Sequence, residues 1–554
     1  MKRRIYKMTE STRQTPATKK HSNSFLKGTL ILTVGGIVVK VIGFLNWIIL
    51  SRVLGGEGIG LYQMAFPIYL LALSVSSAGI PVAISIITAE KLALDDFKGA
   101  TRVFRISLTV LTITGLFFSL LLYFGAELLI KYQFIHDSRA YYALLALAPA
   151  VFFVTILSSF RGYLQGCQIM TPTAVSQIVE QLVRVITMLI FASLLLPKGL
   201  EYAAGGASLG AAPGALAGLM VLMYYYWRLN KDFKQKIKEQ TQVQTKESSI
   251  SIIKRIAKLA LPVSMASIML PIVANLDLFI VPARLEVAGY TVEQATELFG
   301  YLTGMAVPLL NLSTILTASL CISLVPAISE SFSLKNTKRI YEQTASAVRI
   351  ANLVTIPGCV ALWLLAEPVS QLVYNAPQAS HAISILSVGI FLLGIHQVTT
   401  GVLQGMGHTS IPVINMGIAV VFKVILNWTL TAVPTLGIKG AAWATVADIG
   451  IAAILNLYFV NRYVGFSMDS KSLLKPSVAA AAMGGVIYIT YDVIVMQTTN
   501  NALATVVGIF FGGIVYGAVL LMVGGVSEAD VKQIPFIGIR LAPILRRLGL
   551  FKTV

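Results

Sequence analysis

KGTLILTVGGIVVKVIGFLNWIIL, residues 27–50, is an apolar run whose only charge past its first residue is Lys40. As a helix it is about 36 Å long at ~1.5 Å per residue, enough to cross roughly 30 Å of hydrocarbon. Similar runs follow at about 61–87, 105–124, 140–160, 173–196, 202–227, 256–281, 299–325, 346–366, 380–403, 411–433, 438–460, 474–496 and 502–524. Strands are excluded, because a barrel strand alternates apolar and polar residues. The fold class expected is an all-α integral membrane protein with about fourteen transmembrane helices.

The composition agrees. The 554 residues are 56% hydrophobic and 12% charged, with mean hydropathy +0.78, whereas soluble domains carry about 25% charged residues. A net charge of +19 suits the positive-inside rule rather than nucleic acid. With the N-terminus inside, cytoplasmic segments hold 34 of the 43 Lys and Arg. The external loops hold 6: Arg52, Lys131, Arg139, Lys198, Arg284 and Lys439. Both termini are therefore expected in the cytoplasm. Cys167, Cys321 and Cys359 have no metal spacing and read as packing residues.

Residues 1–24 are too polar and too long for a cleavable signal and read as a disordered cytoplasmic tail. The lysine-rich stretch 228–255 reads as a cytoplasmic linker. It opens with a short amphipathic helix suited to an anionic leaflet. The basic, apolar stretch 526–554 has the same interfacial character.

The linker divides a duplication. Gly162-Tyr163-Leu164-Gln165-Gly166 recurs as Gly401-Val402-Leu403-Gln404-Gly405, and Arg184-Val185-Ile186 recurs as Lys423-Val424-Ile425, both at an offset of 239. Helices 1–6 (25–227) and 7–12 (256–461) then form two lobes. Six is even, so both insert in the same orientation, related by a pseudo-two-fold axis along the membrane normal around a central cavity. Two C-terminal helices (462–525) stand outside the repeat.

No catalytic or metal signature is present: no P-loop lysine, HExxH or GxSxG. The informative residues are charges at membrane depth, which insertion scales penalise by ~2.5–3.5 kcal/mol when they face lipid. Lys40 lies midway along the first helix, followed by Asn46 and, at the external end, Arg52. The fifth helix carries Glu180 and Arg184, four residues apart, readable as an intrahelical pair or as substrate contacts. Lys423 holds the repeat-equivalent place. Asn275 and Asp277 lie between Pro271 and Pro282, in a helix expected to kink. Asp448 and Asp492 read as structural partners. Lys40, Arg184 and Lys423 suit either a phosphate-bearing head group or salt bridges between helices.

Several motifs are similar to those of one family. Phe25-Leu26-Lys27-Gly28-Thr29, Ser51-Arg52-Val53-Leu54-Gly55 and Gly79-Ile80-Pro81-Val82-Ala83-Ile84-Ser85 resemble the stage V sporulation protein B branch of Gram-positive polysaccharide transporters. So do Arg161 to Gly166, Met170 to Ala174 and Glu180 to Val185. The resemblance covers about residues 25–525. That branch belongs to the multidrug, oligosaccharidyl-lipid and polysaccharide exporter superfamily and is related to MurJ-type lipid II flippases.

The resemblance implies alternating access between two lobes. The cargo it implies is an undecaprenyl-pyrophosphate-linked sugar, carried from the inner to the outer leaflet. Lys40 resembles a basic first-helix position of the family, and Arg52 its external-end arginine. Asn46-Trp47 stands where relatives usually place another arginine, which makes the cavity less basic.

The expected function is a non-enzymatic flippase for a peptidoglycan precursor such as lipid II, in the bacterial plasma membrane. Lys40, Asn46, Arg52, Glu180, Arg184 and Lys423 are its substrate-binding candidates, and Asp277 with Asn275 its ion-coupling candidates. No cofactor is expected beyond a coupling ion, H+ or Na+, or the membrane potential. The partners are a lipid-linked oligosaccharide and the bilayer, with no nucleic acid, and a monomer is expected. The alternatives are a flippase for teichoic-acid or capsule units, a cation-coupled multidrug exporter, and a membrane glycosyltransferase or phosphatase.

Overall fold

The computed structural model describes residues 16–77, 79–239 and 247–525. Its elements, in order, are α1 (Pro16–Ser77), α2 (Ile80–Ala93), α3 (Phe97–Lys131), α4 (Tyr141–Gly166), α5 (Thr171–Leu195), α6 (Leu200–Leu209), α7 (Ala211–Glu239) and α8 (Ser249–Val287). There follow α9 (Val292–Phe299), α10 (Val307–Ser313), α11 (Ile315–Ser333), α12 (Thr337–Leu364), α13 (Ala366–Tyr374), α14 (Ser380–Gly405), α15 (Ser410–Leu430), α16 (Ile438–Val464), α17 (Ser470–Thr498) and α18 (Asn501–Met522). Among the described residues there is no strand.

Thirteen helical stretches among the described residues are long and apolar enough to cross a membrane. The first, Val34–Ala93, runs for 60 residues, about twice what a crossing needs. It is two crossings, divided at Gly55, whose φ of 66° and ψ of −173° leave the helical region. That positive φ is open to glycine at little steric cost. The chain is thus an all-α integral membrane protein of about fourteen transmembrane helices.

Three readings of single segments shift. Helix α1 begins at Pro16, inside the stretch read as a disordered tail, while residues 1–15 and the basic tail 526–554 lie outside the described residues. The run 299–325 is not one helix: a π-helical segment, Gly300–Ala306, joins α9 to α10, and a break at Thr314 separates α10 from α11. At the linker, α7 continues to Glu239, and residues 240–246 lie outside the described residues.

The chain packs as two compact units. Of the described residues, the first comprises those within 16–47, 65–133 and 138–272, and the second those within 48–64, 134–137 and 273–525. In unit one, Phe104 is the centre of an aromatic cluster, with ring centroids 4.6 Å from Tyr163, 4.8 Å from Tyr226 and 5.0 Å from Phe160. Unit two has an aliphatic core around Ile328, Ala351, Val398, Val402 and Leu403. There α17 and α18 pack together, with Gly512 against Ile487 and Met483. Residues 48–64 meet the start of the π segment through glycines. A Cβ at Gly60 would lie 2.0 Å from the Thr296 carbonyl oxygen, and one at Gly300 2.2 Å from that of Gly56. Small residues are what permit backbones to approach this closely in a bilayer.

The duplication is written in the backbone. Left-handed residues pair off between the repeats: Asp95 with Lys335 (both φ 53°), Gln133 with Asn375 (both φ 57°), and Gln168 (φ 60°) with Gly407 (φ 83°). Asp96 and Asn336 each cap the following helix, accepting from the backbone N–H groups of Gly99 and Arg339. The repeated Gly-x-x-x-Gly packs alike in both units. A Cβ at Gly166 would meet Thr88 and Ser85, and one at Gly405 would meet Ile328 and Val325. Those partners hold matching positions in the two repeats.

Candidate functional site

Three helices of unit two bring the membrane-depth charges together. Asp277 on α8 accepts from Lys423 Nζ at 2.7 Å on one carboxylate oxygen and from Asn427 Nδ2 at 2.8 Å on the other. Lys423 and Asn427 are four residues apart on α15, hence on one helical face. Asp448 on α16 stands 4.0 Å from the same ammonium. The side chains are nearly sealed: Lys423 is 6% exposed, Asp277 16% and Asp448 12%. Asn275, one half-turn before Asp277, is 3% exposed.

Of the two readings open for Lys423, head-group contact and internal pairing, this geometry is the second. Its ammonium is committed to Asp277 inside the unit, and Asp448 is its structural partner as expected. Removing Lys423 leaves two buried carboxylates without their cation, a loss of about 3–5 kcal/mol.

The remaining candidates in unit one lie on α1 and α5. Lys40 is exposed and has no ion-pair or hydrogen-bond partner among the described residues. Asn46, 5% exposed, points its Nδ2 at the Met188 sulfur, 3.3 Å away on α5. Arg184 lies over the Phe66 ring, its guanidinium carbon 5.8 Å from the centroid. Glu180 makes an ion pair of 2.7 Å with Arg161 of α4, a partner the i,i+4 spacing did not suggest. Arg52 belongs to unit two. It donates to the carbonyls of Leu372 and Val373 at the end of α13, where a cation complements the helix dipole.

One device was missed in the sequence. Gly210, Gly214 and Gly218 form a stripe along the start of α7. Cβ atoms there would lie 2.8 Å from Met188 Cβ, 2.7 Å from Arg184 Cβ and 3.1 Å from Glu180 Cβ. The stripe lets α7 lie flat against the face of α5 that carries all three residues. The spacing G-x-x-x-G-x-x-x-G was its signal, hidden beside the more conspicuous run at Gly205-Gly206.

The fold and this distribution of charge define a multi-helix membrane protein with polar clusters inside its helical units. Residues 25–332 match the polysaccharide biosynthesis protein family, and residues 302–429 the MatE family. The chain is 32% identical over 524 residues to stage V sporulation protein B of Bacillus subtilis (strain 168), covering 93% of this chain and 98% of that one. To the lipid II flippase MurJ of the same organism it is 26% identical, over 85% and 89% of the two chains.

Among solved structures, the inward closed conformation of lipid II flippase MurJ superposes with TM-score 0.65 at 18% identity, over 88% of this chain and 98% of that one. An inward-facing multidrug resistance MATE family transporter gives TM-score 0.64 at 17% identity, over 79% and 98%. The chain belongs to the polysaccharide biosynthesis protein family of the exporter superfamily that its motifs indicated.

Proposed function

We propose that the chain is a flippase that moves an undecaprenyl-pyrophosphate-linked peptidoglycan precursor, such as lipid II, from the inner to the outer leaflet by alternating access. It does no covalent chemistry. Both termini lie in the cytoplasm of a bacterial cell, and the chain works as a monomer. The observation that carries the reading is Lys40, an exposed ammonium midway along the first apolar run with no partner among the described residues. A cation left there is tolerated where it faces a wet path or an anionic ligand. The near full-length likeness to a lipid II flippase supplies the class of anion.

The head group engages Lys40 first. Arg184, propped on Phe66 and held in place by the Gly214 contact, then offers a planar donor to a phosphate oxygen. Asn46 supports from α1, where it meets Met188 of α5, and Glu180 fixes Arg161. Arg52 serves at the external end of the path. Asp277 and Asn275 serve ion coupling, joined there by Lys423 and Asp448. No protein group has to be oxidised, acylated or phosphorylated for any of this.

In a strain depleted of its own lipid II flippase, the wild-type gene restores growth. Lys40→Ala abolishes rescue while the protein still reaches the membrane, and Lys40→Arg keeps part of it. Full rescue by Lys40→Ala sinks the role given to Lys40. A second reading, a flippase for a teichoic-acid or capsule unit on the same lipid carrier, is favoured by the family match, whose description is of polysaccharide biosynthesis in general. It predicts no rescue of the lipid II strain by the wild-type gene, and rescue of a strain lacking the corresponding polysaccharide flippase.

A further inference from the structure

The coupling site proposed above leaves its ion undecided between a proton and sodium. We infer that the Lys423 ammonium permanently fills the cation position among Asp277, Asn427 and Asp448, so that the only ion this cluster exchanges is a proton, taken up on Asp448. The inference rests on the transport reading for its consequence, though not for its geometry.

Two carboxylates converge on one ammonium within unit two, and the Asn427 amide donates to one of them. Asn427 is 1% exposed, and its Oδ1 is buried without a hydrogen-bond partner, while its Nδ2 is fixed on Asp277. Carboxylate oxygens paired in this way are what a hard cation takes. The position is already occupied, because Lys423 Nζ lies 2.7 Å from Asp277 Oδ2 and 4.0 Å from Asp448 Oδ2. A metal ion entering here would meet a fixed positive charge at contact distance, in a region where water screens little.

The charge count then decides what can move. Two ionised carboxylates and one ammonium leave a net charge of −1. Asp277 has both oxygens engaged, whereas Asp448 has its ion partner at 4.0 Å, beyond hydrogen-bond reach. Protonation of Asp448 forms one O–H bond on its carboxylate and brings the cluster to neutrality. Release reverses it, with the Asp277–Lys423 pair kept throughout. Among the described residues, the ion pairs of this cluster are those of Lys423 with Asp277 and with Asp448: α8 brings Asp277, α15 brings Lys423 and α16 brings Asp448. Arg284, two turns along α8, is engaged with Trp428, its guanidinium carbon 4.4 Å from the ring centroid and its Nε donating to the backbone carbonyl. Unit one holds a different arrangement at the equivalent place, Arg184 over an aromatic ring.

The test uses the purified full-length chain. Melting temperature is followed in NaCl, KCl and choline chloride at equal ionic strength, and proton uptake on acidification is read with a dye in weak buffer. Wild type should show no sodium-specific shift and should take up a proton that Asp448→Asn does not. Lys423→Met, with its site vacated, should acquire a sodium-specific rise in Tm.

In proteoliposomes loaded with lipid II, an imposed pH gradient should change the flipping rate several-fold for wild type, and a sodium gradient should not. A sodium-specific stabilisation of wild type, or a proton uptake unchanged in Asp448→Asn, overturns the inference. If Lys423→Met does not fold, the Asp448→Asn arm still decides. Failure of the transport reading is seen separately, as no flipping under any gradient, because the sodium and proton measurements need no substrate.

Discussion

At the residue scale, the molecule treats its membrane-depth cations in two ways. Lys423 is locked to Asp277, whereas Lys40 stands exposed and alone among the described residues. Both looked alike as sequence, because a lone lysine in an apolar run does not reveal what another helix brings to it. The difference has an energetic signature. Lys423→Met should destabilise unit two by about 3–5 kcal/mol, the scale for buried charge left without its partner, because Asp277 and Asp448 lose the ammonium they share. Joint replacement by Asp277→Leu and Lys423→Met should recover most of that loss. Unfolding in a denaturant series, with both single variants and the double variant, measures the coupling directly. Additive losses would show that the pair does not act as a unit.

At the scale of elements, helix contacts follow from small residues placed every fourth position. Within unit one a Cβ at Gly115 on α3 would lie 2.9 Å from Thr155 Cβ on α4, and within unit two one at Gly394 on α14 would lie 2.7 Å from Thr355 Cγ2 on α12. The repeat has exchanged glycine and threonine across the same interface. Gly115→Thr alone should therefore lower the melting temperature, and adding Thr155→Gly should restore most of it. Equal loss in the single and double variants would count against the equivalence. A second prediction concerns the stripe on α7. Gly214→Leu must push α5 and α7 apart, since its first carbon would already meet Arg184 Cβ at 2.7 Å. Flipping should fall several-fold while Gly36→Leu, where a Cβ meets nothing within 4 Å, leaves it unchanged.

Legibility in sequence differed by element. Spans were readable because crossing a bilayer demands length and apolarity, which composition displays. The division at Gly55 falls between the expected spans 27–50 and 61–87, but the π segment at 300–306 and the break at Thr314 were not readable, since hydropathy counts residues and is blind to helical register. The partner of Glu180 was missed for a similar reason: i,i+4 spacing sees one helix, and Arg161 comes from another.

At the scale of the whole molecule, duplication is the organising fact, visible as repeated motifs, repeated left-handed turns and repeated glycine contacts. The family likeness spans nearly the full chain, and the two units carry different polar equipment on the same helical plan. Unit one presents Lys40 and Arg184, and unit two seals its lysine into a carboxylate cluster. Under the function proposed above, one repeat handles the anionic cargo and the other handles the driving ion. The most direct measurement reconstitutes the purified chain into vesicles with lipid II on both leaflets, then adds an outside reagent that consumes only exposed head groups. The account predicts that the whole pool becomes accessible with wild type, and only the outer-leaflet fraction with Lys40→Ala. Protection of the inner pool with wild type, or complete exposure with Lys40→Ala, would contradict it.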